Sequence, residues 1–196
     1  DEVVKNFPRD MNTELDEDVV KVAIVGKPNA GKSSILNKLI GEERVIVSPI
    51  AGTTRDAIDT YIELDGKKYL FIDTAGIRRK SKVYENIERY SVIRANSSVE
   101  KADVVMTIID ANEGISEQDS KIAGLAHDAG KASIIVVNKW DLIEKDNHSI
   151  KLYSKKIKEE LPFMLYAPIL FVSALTSQRL RKIKETVDFI FNEACK

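Results

Sequence analysis

The sequence predicts an α/β protein with a mainly parallel six-stranded sheet, one antiparallel edge strand and helices on both faces. Short runs of β-branched residues alternate along the chain with amphipathic stretches, which is typical of strands connected by crossover helices. Five of these runs are apolar at successive positions, as in central strands that are buried on both faces. They are residues 22–25, 69–72, 104–109, 133–137 and 169–172.

The sixth run, residues 58–64, has a different pattern. Apolar residues and threonine alternate there with polar or aromatic residues, which predicts a strand with one solvent-facing side. Asp65 and Gly66 then provide the turn chemistry of a hairpin that leads into the next strand. We therefore expect this strand to be antiparallel and to lie at an edge.

Five helices are expected between and after the strands. Ser116 and Asp119 have the spacing of a capping box at the start of the third helix, and Gly41 ends the first. The expected helices are residues 32–40, 85–100, 116–128, 149–160 and 178–193.

Length and composition restrict the class of protein. The chain has 196 residues, 43% of them hydrophobic, which is enough for one globular domain with tails. Its 30 basic and 31 acidic residues give a formal net charge of -1, unlike a free-standing nucleic-acid binder. The longest apolar stretch, residues 161–172, contains two prolines and is too short to span a membrane. The absence of a signal-like start and the single Cys195 favour a cytoplasmic location.

The first 20 residues are expected to lie outside the main domain, residues 21–196. Residues 1–8 place Val3, Val4 and Phe7 at near-helical spacing before a proline, as in the end of a preceding domain's helix or in a frayed tail. Residues 9–20 are predicted to be an acidic linker, because the part up to Asp18 holds five acidic residues and almost nothing apolar.

A phosphate-binding loop is the strongest signal in the sequence. The segment GKPNAGKS fits the pattern GxxxxGK[ST], directly after a strand and at the start of a helix. Backbone N–H groups of such a loop surround phosphates, Lys32 reaches the outer phosphates and the Ser33 hydroxyl ligates Mg²⁺. The alternative is a glycine-rich turn with an incidental lysine. The predicted phosphate-binding residues are Gly26, Lys27, Pro28, Asn29, Ala30, Gly31, Lys32, Ser33 and Ser34.

Two further segments have the chemistry of a magnesium and γ-phosphate site. Asp73, Thr74, Ala75 and Gly76 follow the next parallel strand, where a carboxylate can hold a Mg²⁺-bound water and a glycine N–H can meet a terminal phosphate. In the connection 51–56, a threonine hydroxyl could complete the Mg²⁺ shell when a γ-phosphate is present. Thr54 and Thr53 are both candidates, and an ordinary polar connection is the alternative.

Two later segments indicate selection of guanine. Asn138, Lys139, Trp140 and Asp141 follow a strand, and an Asp carboxylate can accept two hydrogen bonds from guanine but not from adenine. We expect Asn138 to tie this loop to the phosphate loop and the Lys139 stem to cover the base. After the last strand, a backbone N–H from Ser173, Ala174 and Leu175 can reach the guanine carbonyl. All four segments lie at carboxyl ends of strands, where open α/β sheets bind ligands.

Together these segments resemble the translation-factor-related GTPases and, within them, the Der (EngA) family of bacterial ribosome-biogenesis proteins. The motifs that carry the resemblance are GKPNAGKSS, AGTTRD, DTAGIRRKSKV, NKWD and SAL. Members have two tandem GTPase domains and a C-terminal KH-like domain, and this chain is most similar to the second GTPase domain with the preceding linker. The resemblance implies a Ras-like P-loop GTPase fold and GTP, GDP and Mg²⁺ as ligands.

The resemblance also implies partners, with the adjacent GTPase and KH-like domains absent from this chain. The full-length protein is expected to act at the large ribosomal subunit and its rRNA, with no membrane involved. The basic run of Arg78, Arg79, Lys80 and Lys82 is then a solvated face or a nucleotide-controlled surface for rRNA or neighbouring domains.

Two positions bear on hydrolysis. Ile77 stands where Ras-like switches place a water-orienting glutamine. Asn29 resembles the asparagine that helps hold K⁺ in potassium-activated GTPases, although a turn asparagine is the alternative. The resemblance thus implies Lys32, Asn29, Thr54 and Gly76 as catalytic residues. Ser33, Thr54 and Asp73 are the expected Mg²⁺ ligands, and Asn29 is the expected K⁺ ligand.

Three other functions remain open on the sequence. Ile77 is compatible with a guanine-nucleotide sensor that hydrolyses little GTP in isolation. A P-loop kinase is disfavoured, because NKWD selects guanine and no arginine-rich lid is evident. Another potassium-type GTPase, such as Era or MnmE, shares several of the motifs but resembles the chain less closely.

Overall fold

The computed structural model describes residues 19–41, 46–51, 58–74 and 87–196. Its sheet has seven strands in the spatial order β2-β3-β4-β1-β5-β6-β7. They are β1 Val20–Val25, β2 Ile46–Ala51, β3 Ile58–Leu64, β4 Lys67–Ile72, β5 Val104–Asp110, β6 Ala132–Asn138 and β7 Ile169–Phe171.

Strand directions confirm the α/β class. The strand β1 is parallel to β4 and β5, and β6 continues the parallel order between β5 and β7. The strand β3 is antiparallel to both of its neighbours, β2 and β4, as its alternating pattern predicts. The carboxyl ends of all the parallel strands therefore meet at one end of the sheet.

The described sheet contains one strand more than the six expected, and β3 is not at its edge. The added strand is β2, which pairs with β3 from Ile46 opposite Glu63 to Ala51 opposite Ile58. Pro49 explains why this strand is hard to recognise, since proline lacks a backbone N–H and is disfavoured in strands. An edge strand tolerates such a residue because only one of its sides needs ladder hydrogen bonds.

The β3–β4 hairpin has the predicted two-residue turn. Asp65 (φ 50°) and Gly66 (φ 77°) both adopt left-handed conformations, as a type I′ turn requires. The turn pairs Leu64 with Lys67 and fixes the register of the two strands. Thr60, Ile62 and Leu64 of β3 are consequently buried on one face.

Among the described residues, four α-helices lie between strands and a fifth follows β7: α1 Lys32–Ile40, α2 Ile87–Lys101, α3 Glu117–Asp128, α4 Ser149–Glu160 and α5 Arg181–Ala194. The predicted capping box at α3 is present, with the Ser116 hydroxyl accepting the Asp119 N–H and the Asp119 carboxylate accepting the Ser116 N–H. The helix α5 begins at Arg181 rather than at residue 178. The reason is that the backbone of Gln178 pairs with that of Ser173.

The core lies on both faces of the sheet. Residues of β1 alternate between the faces, with Val22 and Ile24 packing towards α1 and α5, and Ala23 and Val25 towards α2 and α3. A third apolar cluster joins β6 and β7 to α4 around Trp140. The sheet begins one residue before the predicted domain boundary, because β1 starts at Val20. None of the helices in the described ranges is long and apolar enough to cross a membrane.

Candidate nucleotide-binding site

The loop between β1 and α1 needs glycine at two positions. A Cβ atom on Gly26 would lie 2.6 Å from the carbonyl oxygen of Ile108, and a Cβ on Gly31 would collide with the amide of Asn138. Gly31 (φ 99°) and Asn29 (φ 66°) also adopt left-handed backbone conformations. The loop therefore turns tightly against the carboxyl end of β5 and against the loop after β6.

The start of α1 offers backbone donors to an anion. Gly31 is the N-cap and has no side chain that could accept a hydrogen bond, while its carbonyl accepts the Ile35 N–H at 3.0 Å. The N–H groups of the first turn have no acceptor within an α-helix, and this turn contains no acidic residue. Such a helix start attracts negative charge and suits a phosphate.

Lys32 is held across the loop that precedes it. Its ammonium group donates hydrogen bonds to the carbonyl oxygens of Gly26 at 2.7 Å and Lys27 at 2.8 Å. Burial lowers the pKa of Lys32 to about 8, and the negative charge of Asp119 opposes this shift. At pH 7 the side chain is mainly protonated and can counter phosphate charge.

Asp73 and Thr74 are fixed at the end of β4, next to the phosphate loop because β4 pairs with β1. Asp73 has a left-handed backbone (φ 52°), and its N–H donates to the Asp59 carboxylate at 2.8 Å. The Thr74 hydroxyl lies 2.5 Å from that of Thr60, and both are buried. The hairpin thus holds Asp73 at the same end of the sheet as Ser33.

Asn138 joins three loops. Its side-chain N–H donates to the carbonyl of Ala30 at 3.0 Å, and its side-chain oxygen accepts the Ala174 N–H at 3.1 Å. The residue is 2% exposed, so both bonds are shielded from water. The phosphate loop and the loops after β6 and β7 therefore have fixed relative positions.

Asp141 lies at the rim of this arrangement. One of its carboxylate oxygens accepts a hydrogen bond from the Ser173 hydroxyl at 2.6 Å. Ser173 is fully buried, and its oxygen also accepts the Thr176 N–H at 3.1 Å. This pairing orients the carboxylate, which can then present its remaining acceptor positions to paired N–H donors.

Lys139 is anchored by an acid at the end of β5. Its ammonium group lies 2.5 Å from the Asp110 carboxylate, and its backbone is left-handed (φ 62°). Burial raises the pKa of Asp110, but hydrogen bonds from Lys139 and the Asn112 N–H outweigh it and keep the pKa below its usual value. The carboxylate therefore stays charged and fixes the Lys139 stem along one side of the loop.

Comparison with known proteins places the chain in a family. Residues 21–139, more than half of the chain, match the family described as 50S ribosome-binding GTPase. The chain belongs to this family. This GTPase is 61% identical over 194 residues to GTPase Der of Ruminiclostridium cellulolyticum, which covers 99% of this chain and 44% of the relative. It is 62% identical over 190 residues to GTPase Der of Agathobacter rectalis, covering 97% and 43%.

These relatives confirm the resemblance to Der that the motifs indicate. The chain spans less than half the length of the two relatives. Among solved structures, one of Era in complex with MgGDPNP and nucleotides 1506–1542 of 16S ribosomal RNA has a TM-score of 0.65 and 34% sequence identity. That match covers 87% of this chain and 56% of the Era chain.

The described residues of this GTPase fit the nucleotide and Mg²⁺ that its family implies. The uncapped start of α1 provides N–H donors for phosphate, and Lys32 provides a positive charge. The Ser33 hydroxyl and the Asp73 carboxylate are hard oxygen ligands of the kind that Mg²⁺ prefers. The described ranges contain no cluster of three or more His, Cys, Asp or Glu side chains arranged to hold a metal. A Mg²⁺ ion here would therefore need further oxygen ligands, from phosphate, from water or from residues outside the described ranges.

The structure limits which groups of the predicted base loops are available to a nucleotide. Trp140 was assigned to the nucleotide site, but its side chain is buried in the core, with ring centroids 4.6 Å from Phe171 and 5.5 Å from Tyr153. Trp140 anchors the base loop to the core, because burial of the large apolar indole is energetically favourable. The Ala174 N–H, a candidate donor to guanine, donates to Asn138, and the Leu175 side chain is 78% exposed.

Several predicted site residues lie outside the described residues: Thr53, Thr54, Ala75, Gly76, Ile77 and the basic run 78–82. Conversely, sequence reasoning missed Asp59, Thr60 and Asp110, which position the site from neighbouring strands. Their only signal was a polar residue within or at the end of a predicted strand.

A separate groove lies far from these loops. It has a volume of about 660 Å³ and is found where β6 and β7 begin and α5 ends. Leu165, Tyr166 and Phe189 line it, and each is more than half exposed. None of the predicted nucleotide-binding residues takes part, so this groove is not the candidate site.

Proposed function

We propose that the chain is a GTP-binding and GTP-hydrolysing switch domain of a bacterial GTPase that acts in assembly of the large ribosomal subunit. The observation that carries the nucleotide assignment is Asn138, whose one amide fixes the phosphate loop relative to the loops that would read the base. A rigid connection of this kind suits a ligand with phosphates at one end and guanine at the other.

Different residues of the site would bind the base, the phosphates and Mg²⁺. The Asp141 carboxylate would accept hydrogen bonds from the two N–H groups on one edge of guanine. The N–H groups at the start of α1 and the ammonium of Lys32 would hold the phosphates. Ser33, Asp73 and Thr54 would hold Mg²⁺, which when bound withdraws charge from the phosphate oxygens. Gly76 would donate its N–H to the γ-phosphate in the triphosphate state.

Potassium is part of the proposal. Asn29 is exposed on the phosphate loop and has a left-handed backbone, so its side chain can reach towards a bound phosphate group. Ile77 cannot orient the attacking water, and charge that develops on the phosphates then needs another cation. A K⁺ ion held by Asn29 would supply this charge at the point where the β- and γ-phosphates separate.

The cellular role rests on the relatives. GTPase Der is the name of the relatives at 61% and 62% identity, and the Era structure includes ribosomal RNA. We infer that this domain is the second of two GTPase domains in a cytoplasmic protein, with residues 1–8 as the end of a preceding helix and the acidic residues 9–18 as the linker before β1. The full-length protein would contact rRNA of the large subunit, with neighbouring GTPase and KH-like domains taking part.

Phosphate release from GTP tests this function. In Mg²⁺ at constant ionic strength, the wild-type chain should release phosphate faster in K⁺ than in Na⁺. An arginine finger in a related position accelerates hydrolysis by roughly a thousandfold or more, which sets an upper limit for the effect of K⁺. Asn29→Ala should lose the difference between the two salts, because the ion loses a ligand.

The control is Asn37→Ala, which removes an exposed asparagine from α1 away from the loop and should behave as the wild type. Equal rates in the two salts for the wild type would contradict the potassium mechanism. GTP binding without phosphate release in either salt would favour the alternative that Ile77 suggests, a guanine-nucleotide sensor.

A further inference from the structure

A side chain of the phosphate loop points away from the nucleotide-facing donors and joins a different element. The ammonium of Lys27 lies 2.8 Å from the Glu113 carboxylate and 3.4 Å from that of Asp119. Glu113 belongs to the loop after β5, and Asp119 lies in the first turn of α3. The Lys27 side chain is only 12% exposed, so these contacts are partly shielded from solvent and salt.

The backbone of the same residue holds Lys32. The Lys27 carbonyl oxygen accepts a hydrogen bond from the Lys32 ammonium at 2.8 Å, beside the bond from Lys32 to Gly26. A displacement of Lys27 would therefore move an acceptor that fixes the phosphate-binding ammonium. Lys27 thus connects α3, through its side chain, to Lys32, through its carbonyl.

Asp119 is buried more deeply than its helix cap requires. One carboxylate oxygen accepts the N–H and the hydroxyl of Ser116, each at 2.8 Å, and lies near Lys27. The other oxygen is buried and has no hydrogen-bond partner within the described residues. A buried carboxylate loses hydration, which is costly without a compensating positive charge. Glu117, in the same turn, stays 84% exposed, which shows that an acid here need not be buried.

We propose that Asp119 and Lys27 are a pair of positioning residues for the nucleotide phosphates. Asp119, together with Glu113, holds the Lys27 ammonium, and this fixes the Lys27 carbonyl that holds Lys32. Neither side chain needs to touch the nucleotide. This inference rests on the proposed function, since it concerns retention of a guanine nucleotide by the same loop.

The rate at which a fluorescent GDP analogue dissociates from the 196-residue chain in Mg²⁺ tests the pair. Lys27→Gln and Asp119→Asn should each release the analogue roughly ten to a hundred times faster, because weakening the hydrogen bonds of a charged group to phosphate has effects of this size. Lys27→Arg should restore most of the slow release lost in Lys27→Gln, since a guanidinium can bridge both carboxylates. The double variant should be no faster than the faster single variant, because both changes break one connection.

The matched control is Lys121→Gln, which breaks an exposed ion pair with Glu117 on the same helix and should dissociate as the wild type does. Thermal unfolding without nucleotide separates loss of the α3 cap in Asp119→Asn from loss of positioning, and Lys27→Gln leaves the cap intact. Release from Lys27→Gln at the wild-type rate would overturn the inference while the proposed function stands. Failure of the wild type to bind the analogue would instead contradict the proposed function.

Discussion

Buried polar side chains at the carboxyl ends of the strands assemble the candidate site. Asn138 and Asp110 are each 2% exposed, and each joins segments that are far apart in sequence. A buried polar group that lost its partner would retain the cost of dehydration, about 1–3 kcal/mol. These residues therefore favour one arrangement of the loops over others, which is what a site with two separated recognition ends requires.

Lys32 and Ser33 should affect nucleotide binding in different ways. Lys32→Ala should lower the affinity for GDP and for GTP by at least about tenfold. The reason is that hydrogen bonds to charged groups contribute about 1.5–3 kcal/mol each. Ser33→Ala should mainly remove the dependence of affinity on Mg²⁺. Titration calorimetry with Mg²⁺ and with EDTA measures both effects. Lys38→Ala, an exposed change in the last turn of α1, is the control. Unchanged affinity in Lys32→Ala and Ser33→Ala would contradict the phosphate-loop assignment.

The motifs predict which residues are near the nucleotide, but not how their side chains are held. The pairing of Asp59 with the Asp73 N–H follows from the β3–β4 register, and that of Asp110 with Lys139 from the neighbouring positions of β5 and β6. Such contacts depend on sheet order, which local patterns do not contain. Trp140 shows the same limit, because a position within a motif does not say whether its side chain faces the ligand or the core.

At the scale of elements, a hydrogen bond and an ion pair to Asp188 join the β3–β4 hairpin to α5. The Tyr69 hydroxyl donates to the Asp188 carboxylate at 2.6 Å, and Lys67 and Lys184 lie 3.2 and 3.3 Å from the same carboxylate. Burial raises the pKa of Asp188, but these three partners outweigh it and hold the pKa below its usual value. Because Asp73 directly follows β4, this network also helps to place the predicted Mg²⁺ ligand.

Acid should therefore weaken this connection. A carboxylate whose pKa is lower in the folded than in the unfolded chain stabilises the fold above its unfolded pKa, near 3.9. The contribution is lost as the pH falls through the folded pKa. Asp188→Asn should thus lower the free energy of unfolding by about 1–3 kcal/mol at pH 7, and the difference from the wild type should shrink towards pH 3.

Urea unfolding at pH 7, 5 and 3 measures this difference. Asp128→Asn, an exposed change at the end of α3, controls for the removal of one negative charge. A difference between Asp188→Asn and the wild type that stays constant over this pH range would show that the charge of Asp188 does not stabilise the hairpin.

Hydrophobic periodicity predicted most strands and helices. It reflects which side chains of a segment are buried, and this pattern can be read from neighbouring residues. The runs of β1, β4, β5 and β6 are apolar at successive positions since helices cover both of their faces. The edge strand β2 was missed because it contains Pro49, and the start of α5 was placed three residues early. In the second case Ser177 and Arg179 adopt left-handed conformations (φ 59° in both), which ordinary propensities of these residues do not predict.

At the scale of the molecule, the strand directions explain why four separate motifs form one site. The loops after β1, β4, β6 and β7 lie at the same end of the sheet because these strands are parallel. Because the net charge is only -1, we expect the isolated chain to bind RNA weakly. Its expected contribution to a longer protein is therefore a nucleotide-dependent change rather than tight RNA binding of its own.

We propose that this domain binds guanine nucleotides through Asp141. The most direct measurement compares the affinities of GTP and XTP for the wild type and for Asp141→Asn, with Glu144→Gln, an exposed change in the same loop, as the control. The wild type and the control should prefer GTP, and Asp141→Asn should prefer XTP. The reason is that the amide replaces an acceptor by a donor, and the 2-oxo group of xanthine replaces the amine of guanine. An undiminished preference of Asp141→Asn for GTP would contradict the account.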